Sequence, residues 1–528
     1  MEIVLTSLNS KYIHPNMALR ILKNELNDNN ITCTIKEYNI KQDITMIIND
    51  LLIYDIIAFS CYIWNISLIK IIINEIKKIA TNKIIILGGP EVSYLSKEDI
   101  NDFKCDYIIC GEGEKVFKEL IISLLNKTNI NTKYLIDINN KIMNQDINKV
   151  DVNYFSKYTN NFNDIDLNNQ LCYLETSRGC PYHCAYCLAS LDNEIREINL
   201  DIIFNKINYL LNNKAKTIKL LDRTFNFNEL RTNKIIEYII NNDNMISIFQ
   251  FEITGELLKE STINLLNTSR QGLFRLEIGI QSINKEANKA IYRYQDNNKL
   301  VTNINSLIKA NRVILHLDLI AGLPKEDLRE FKNTFNFVFN LKGAELQLGI
   351  LKLLKGTKLN EMISEYNYQF SKDSPYQLIS NAFLSKDDLI IIEQAEKGLN
   401  RYYNSDKAKN IIYYLINKYQ LNAFDLFYEL GKDLVKVKQL DVLYQRLFIY
   451  LKDDNDYIML FNNYYVNSKI RLKALTKISN KKEILKKIND LNIIKQENLY
   501  RYSNIEQINK KVYYLIDFKE KRNFVVKI

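Results

Sequence analysis

Two successive series of short β-branched runs, each alternating with amphipathic helical runs, constrain this 528-residue chain more than any other feature. Within residues 1–130 the strand candidates are Glu2–Ser7, Ile31–Tyr38, Asp55–Tyr62, Lys83–Leu87 and Asp106–Cys110, with helical stretches such as Met17–Leu26 and Leu68–Ile79 between them. Strands joined through helices pair in parallel, so this part predicts a doubly wound parallel sheet. Its ligands are expected outside the carboxyl ends of the strands, where polar or Gly-rich turns follow. Residues 131–170, rich in Asn, Asp and Lys, read as a surface linker. A second series over 171–355 offers Leu171–Thr176, Thr217–Leu221, Ile248–Thr254, Phe274–Gln281, Val313–Leu319 and Glu345–Leu353. Six such units predict a partial (β/α)6 barrel with its chemistry at the strand carboxyl ends. Residues 375–528 turn to Tyr-, Asn- and Lys-rich helical segments, including Ala408–Leu421 and Lys436–Leu451, and close on a hairpin, Val512–Phe518 with Asn523–Ile528. The predicted fold is α/β with a mostly helical C-terminal domain.

Composition narrows the class. A 47% hydrophobic chain with only 5 Pro and 14 Gly buries large cores and is not a disordered scaffold. No apolar stretch reaches the ~20 residues that span a bilayer. The start, Met1-Glu2-Ile3-Val4-Leu5, reads as a first strand and not as a signal peptide. A cytoplasmic location is therefore expected, and eight cysteines there do not form a disulfide framework. Cys33, Cys61, Cys105, Cys110 and Cys172 read as small buried hydrophobes. The formal charge of +9 is concentrated between Val466 and Lys511, where twelve Lys or Arg stand against four acids. Such a segment is either a solvated helix face or a surface for an anionic partner; nucleic acid is not the favoured partner.

The remaining cysteines are clustered in Glu175-Thr-Ser-Arg-Gly-Cys180-Pro-Tyr-His-Cys184-Ala-Tyr-Cys187, on the loop after the first barrel strand. Three thiolates at this spacing can ligate three irons of a 4Fe–4S cluster and leave the fourth iron open for catalysis. Gly179 and Pro181 favour a tight turn around it. The alternative is a zinc site of three cysteines and His183. His183 directly precedes Cys184, a poor position for reaching the same ion, and no second Cys pair follows.

This spacing, with aromatic Tyr186 before the last cysteine, resembles the radical S-adenosylmethionine superfamily. The resemblance implies an enzyme whose open iron chelates the cofactor's amino and carboxylate groups. Reductive cleavage then yields a 5′-deoxyadenosyl radical, with the electron expected from a low-potential donor such as flavodoxin or ferredoxin. It further implies that Tyr186 lies near the adenine, that Glu277, in Leu276-Glu277-Ile-Gly279-Ile-Gln281-Ser282, contacts the ribose, and that Arg293 pairs with the cofactor carboxylate. Gln281 and Ser282 belong to that fourth-strand segment. Asp318-Leu-Ile-Ala-Gly322-Leu-Pro324 resembles the segment that closes over adenine. The family's Gly-Gly-Glu after the second strand is missing; Leu220-Leu221-Asp222-Arg223-Thr224-Phe225-Asn226 stands there, with Asp222 or Asn226 as candidates for the amino group.

The N-terminal sheet, with Gly88-Gly89-Pro90-Glu91 and Gly111-Glu112-Gly113-Glu114, resembles the cobalamin-binding domain that precedes many such barrels. By that resemblance Ser60, Gly88, Gly89, Gly111, Glu112 and Gly113 line the cofactor. The Asp-x-His-x-x-Gly signature is absent, so His14 is not expected to ligate cobalt. A cobalamin-dependent radical enzyme, with methyl transfer to an unactivated carbon favoured, is the leading reading. RNA modification and a cobalamin- or redox-sensing regulator without turnover are the alternatives.

Overall fold

The computed structural model describes residues 1–130, 132–158, 160–343, 345–434, 439–466 and 472–528. These form two compact units. The first comprises residues 1–331, 341–344 and 349–385, and the second residues 332–340, 345–348 and 386–528.

The N-terminal sheet consists of β1 (Ile3–Asn9), β2 (Thr34–Asn39), β3 (Ile56–Ser60), β4 (Ile84–Gly88), β5 (Tyr107–Ile109), β6 (Leu135–Asp137) and β7 (Ile142–Met143). Its order is β2-β1-β3-β4-β5-β6-β7, parallel through β5. The crossovers run outward to opposite sides from the neighbouring parallel strands β1 and β3, so the ligand crevice of such a sheet opens beyond the carboxyl ends of these two strands. Helix Ile66–Ile79 shows why the faces fill: Ile66, Ile69, Ile72, Ile73 and Ile76 recur at helical spacing and all are buried. The strand predictions hold to within a few residues. The stretch read as a linker does more than connect. Its β6 and β7 add two antiparallel strands to the sheet edge, and its helix Val152–Ser156 follows.

The barrel sheet comprises β8 (Cys172–Leu174), then, after a short pair of β9 (Ser177–Arg178) with β10 (Arg196–Glu197), β11 (Thr217–Leu220), β12 (Ile248–Ile253), β13 (Phe274–Gln281), β14 (Ile314–Ala321) and β15 (Glu345–Ile350). Its order is β15-β14-β13-β12-β11-β8, an open sheet of six strands. Along β13 the side chains alternate strictly between buried and partly exposed. The buried set (Phe274, Leu276, Ile278, Ile280) is apolar, while Arg275, Glu277, Gly279 and Gln281 occupy the other face. β14 repeats the pattern with His316 and Asp318. One face is therefore core and the other is polar and reachable by solvent. Two short strands, β16 (Gln369–Phe370) and β17 (Leu378–Ser380), complete the first unit.

The second unit is mainly helical, including Lys386–Gly398, Lys409–Tyr419, Ala423–Gly431 and Asp454–Tyr465. Of the segment expected as helix Lys436–Leu451, residues 435–438 lie outside the described residues, and helix Leu440–Gln445 followed by a 3₁₀ turn occupies the rest. The expected closing hairpin is present as β19 (Val512–Asp517) and β20 (Arg522–Lys527), joined by β18 (Ser503–Gln507) in a three-stranded antiparallel sheet. Residues 467–471 of the basic segment also lie outside the described residues. In its helix Lys481–Asp490 the buried residues are Ile484 and Ile488, which makes the lysines a solvated face. Among the described residues no helix is long and apolar enough to cross a membrane.

Candidate active site

The cysteine loop leaves β8 through Thr176 and is held by backbone bonds from several directions. Cys180 N donates to Asp192 O at 2.9 Å, Cys187 N to Cys184 O at 3.0 Å, and Ala185 N to Ile291 O at 3.0 Å. Gly179 sits at φ +90°, and a Cβ there would overlap the Glu194 carbonyl, so the close return of the chain requires glycine. Cys180 and Cys184 are buried and Cys187 is partly so. Thr224 Oγ1 lies 3.7 Å from Cys180 Sγ, and Arg293 Nη1 donates to Cys184 Sγ at 3.9 Å. Among the described residues no three His, Cys, Asp or Glu side chains converge tightly enough to chelate one metal ion. Burial pushes the thiols of Cys105, Cys110 and Cys172 up to about 12 and that of Cys33 to about 11, which keeps them neutral in the apolar surroundings expected for them.

Two arginines flank this loop and bind the N-terminal sheet. Arg196 places Nη2 2.7 Å from Glu112 Oε1 and 2.6 Å from Asp192 Oδ2. Arg178 Nη2 lies 2.8 Å from Glu114 Oε1 and 3.0 Å from Glu175 Oε2. Glu112 also accepts from Val150 N at 2.7 Å. Of the turn Gly111–Glu112–Gly113, expected to line cobalamin, Gly111 and Glu112 make close contacts within the chain, while a Cβ on Gly113 would meet only Ile109 at 3.7 Å. A Cβ on Gly111 would stand 2.5 Å from Asn148 N, and Glu112 N donates to Asn148 O at 3.0 Å. Sequence reasoning missed this clasp, although carboxylates in one Gly-rich turn and arginines beside the cysteines were its visible signal.

The other cobalamin candidates lie at the carboxyl ends of β3 and β4. At Gly88 a Cβ would meet nothing within 4 Å, so open space lies there. Gly89, at φ +110°, allows the chain to pass Cys61 O, which a Cβ would approach to 2.6 Å. Ser60 is buried. Tyr62 stacks on Trp64 with centroids 4.4 Å apart, and Trp64 is 44% exposed. An open glycine edge beside an accessible aromatic pair fits a large planar cofactor. His14 Nδ1 is engaged by Tyr173 Oη at 2.6 Å, and burial followed by Lys11 and Lys219 lowers the imidazole's affinity for a proton.

The remaining candidates divide into two groups. Arg293, Gln281, Glu277 and Tyr186 come together near the loop or on the polar barrel face. Tyr186 is partly buried, and burial raises the pKa of its hydroxyl while the charge of Arg293 opposes this. Arg293 is fixed by Gly279 O at 2.5 Å and Gln295 Oε1 at 3.0 Å. Glu277 is tied to Lys219 at 2.8 Å and accepts from Gln250. Asp222, Asn226, Ser282 and Gly322 are engaged within the protein. Asp222 is 1% exposed and accepts from Thr176 N at 2.9 Å, Thr176 Oγ1 at 2.5 Å and Ser177 Oγ at 2.6 Å. It therefore latches β11 to the start of the cysteine loop. Asn226 exchanges two 2.9 Å hydrogen bonds with the Thr254 backbone. Ser282 donates to Glu326 and accepts from Asn284 N at 2.9 Å. A Cβ on Gly322 would overlap Leu378, and its carbonyl accepts from Tyr368 and Asn381.

Across the polar barrel face, Lys219 approaches Glu277 at 2.8 Å and Glu252 at 3.6 Å, and His316 lies 3.7 Å from Asp318. Burial, then the charges of Glu277 and Glu252, push the Asp318 carboxyl up to about 7. The face can therefore hold or release a proton near neutrality.

Comparison with known proteins agrees with this geometry. Residues 3–121 match the B12 binding domain, residues 174–338 the Radical SAM superfamily, and residues 364–526 a family described as a protein of unknown function. An uncharacterized methyltransferase, PH0819 of Pyrococcus horikoshii, is 24% identical over 62% of this chain and 80% of its own length. The cobalamin-dependent radical SAM methyltransferase TokK of Streptomyces tokunonensis is 21% identical over 59% of this chain, which spans about half (49%) of TokK. Among solved structures, the cobalamin-dependent S-adenosylmethionine radical enzyme OxsB, with aqua-cobalamin and S-adenosylmethionine bound, aligns with a TM-score of 0.60 at 13% identity over 94% of this chain and 81% of its own. The likeness extends the shared fold to nearly the whole chain. The chain thus carries a Radical SAM superfamily domain at residues 174–338, with a B12 binding domain ahead of it at residues 3–121.

Proposed function

We propose that this chain is a cobalamin-dependent radical S-adenosylmethionine methyltransferase acting on an unactivated carbon. The observation that carries the reading is the clasp of Glu112 and Glu114 on Arg196 and Arg178, which ties the B12-binding sheet to the base of the cysteine loop. Residues 3–121 and the cysteine loop belong to one compact unit, which supports the reading. When bound, the cluster with S-adenosylmethionine supplies a 5′-deoxyadenosyl radical, and cobalamin supplies a methyl carrier. The chain's own residues hold the parts. Cys180, Cys184 and Cys187 ligate the cluster, Arg293 and Gln281 receive the amino-acid end of the cofactor, and Glu277 its ribose. Ser60, Gly88 and Gly89 border cobalamin, and the Lys219–Glu252–Glu277–His316–Asp318 face meets the substrate. The names of PH0819 and TokK support methyl transfer. The electron donor we assign is a flavodoxin or ferredoxin, and the compartment the cytoplasm.

The test is anaerobic incubation of the reconstituted protein with cobalamin, reductant and S-adenosylmethionine, followed by absorption spectroscopy. Methylcobalamin formation is expected. A protein that binds no cobalamin at saturating concentration would contradict the reading.

A further inference from the structure

In the three-stranded sheet of the second unit, the two edges differ. The β18 edge is covered: Leu475 N and Thr476 N donate to Glu506 at 2.8 and 2.7 Å, and Gln507 N donates to Thr476 Oγ1 at 2.8 Å. The β20 edge is open. Ile528 N donates to Lys511 O at 2.8 Å, and Val512 stands opposite Lys527. Antiparallel alternation then turns the N–H and C=O groups of Arg522, Phe524 and Val526 toward β19, and those of Asn523, Val525 and Lys527 outward. All three outward residues are exposed, Val525 to 51%. Among the described residues no backbone group bonds to them from outside the sheet. Such an edge is a template for a further strand.

Charge decides which strand fits. From Leu472 to Ile528 fourteen Lys or Arg stand against six acids, a surplus of eight in a chain whose total is +9. Two of those acids, Glu506 and Asp517, are buried and engaged within the unit. Every one of the fourteen basic residues is exposed. Lys521 and Arg522 border the start of the open edge, Lys527 its end, and Lys510 and Lys511 the adjoining turn. Glu520, the acid beside Lys521, lies 3.6 Å from Arg522 Nη1. A second copy of β20 would bring Lys and Arg against Lys and Arg in either direction, which opposes self-pairing. An acidic strand meets the opposite sign at both ends.

We propose that β20 is a docking edge for an acidic polypeptide segment, which joins the sheet as a fourth strand through the outward groups of Asn523, Val525 and Lys527. This partner is separate from the methyl transfer proposed above and does not depend on it.

The test uses the full-length protein and a fluorescein-labelled peptide of alternating Glu and Val, read by fluorescence anisotropy. Saturable binding that weakens with added salt is expected, and a peptide of alternating Lys and Val should not bind. Val525→Pro removes one outward N–H. Proline is tolerated at an edge position whose N–H faces away from the ladder, so β19 should keep its hydrogen-exchange protection while peptide affinity falls about tenfold. Lys527→Glu, which leaves every backbone group in place, is the second variant and should weaken the same peptide. No binding of the Glu peptide, equal binding of the Glu and Lys peptides, or wild-type affinity in both variants overturns the assignment. Poly(U) RNA that displaces the peptide from wild type and Val525→Pro alike would also overturn it, since the basic surface would then serve a nucleic acid without the edge.

Discussion

Glu112→Gln isolates the clasp between the B12-binding sheet and the cysteine loop. In the native chain the carboxylate accepts from both Arg196 Nη atoms, at 2.9 and 2.7 Å, and from Val150 N at 2.7 Å. Glutamine keeps the shape but turns an NH₂ group toward guanidinium donors and removes the compensating charge. Breaking one side of a fully buried ion pair costs roughly 3–5 kcal/mol. Here the side chains retain some water, 14% exposure for Arg196 and 20% for Glu112, which argues for a smaller loss of about 2 kcal/mol. The loss should appear as local opening, because a chain with several cores does not unfold as one two-state unit. Hydrogen exchange read by mass spectrometry is therefore the assay. Amides of residues 145–150 and 178–196, including Cys180 N, should exchange about thirtyfold faster, the equivalent of about 2 kcal/mol, while β1, β3 and β4 keep their protection. Unchanged exchange in those two segments would refute the clasp. A uniform rise across the whole unit would refute its local character.

Three further outcomes follow from the same geometry. The raised Asp318 carboxyl binds its proton more tightly when folded, so its stabilising contribution is complete below its ordinary value of 3.8, declines between pH 4 and 7, and is absent above. Asp318→Asn should remove about 1–2 kcal/mol of that decline after allowance for solvent access, read as the pH dependence of hydrogen-exchange protection along β14, and a pH slope unaffected by the substitution would disprove it. His14→Ala should leave the absorption spectrum of bound cobalamin unchanged, since Tyr173 engages Nδ1 and no Asp-x-His-x-x-Gly surrounds the residue; a spectral change typical of losing an imidazole ligand would contradict this. Gly179→Ala should lower iron content after reconstitution severalfold, because the added methyl costs about 1–2 kcal/mol at positive φ before its overlap with the Glu194 carbonyl is counted, and full iron loading would argue against the tight turn.

The strands were legible because β-branched runs and their spacing are local properties. Phe274–Gln281 is found as predicted, and the others shift by a residue or a few at their ends, where the backbone ladder and the apolar run do not stop together. The cysteine loop was legible because its chemistry is carried by spacing alone. The edge strands β6 and β7 were hidden in an Asn- and Lys-rich composition, since what makes Leu135–Asp137 a strand is the backbone edge of β5. Asp222, Asn226 and Ser282 matched candidate positions, but their hydrogen-bond partners come from other strands and turns, which one-dimensional patterns do not reveal.

The most direct measurement of the central claim is 5′-deoxyadenosine release after anaerobic reconstitution with iron and sulfide, reduction with dithionite and addition of S-adenosylmethionine. The wild-type chain should assemble a 4Fe–4S cluster and release 5′-deoxyadenosine. Cys172→Ala, which removes only a buried thiol, should behave alike, and Cys184→Ala should lose both the chromophore and the product. A Cys184→Ala protein that held a full cluster and still cleaved the cofactor would contradict the account.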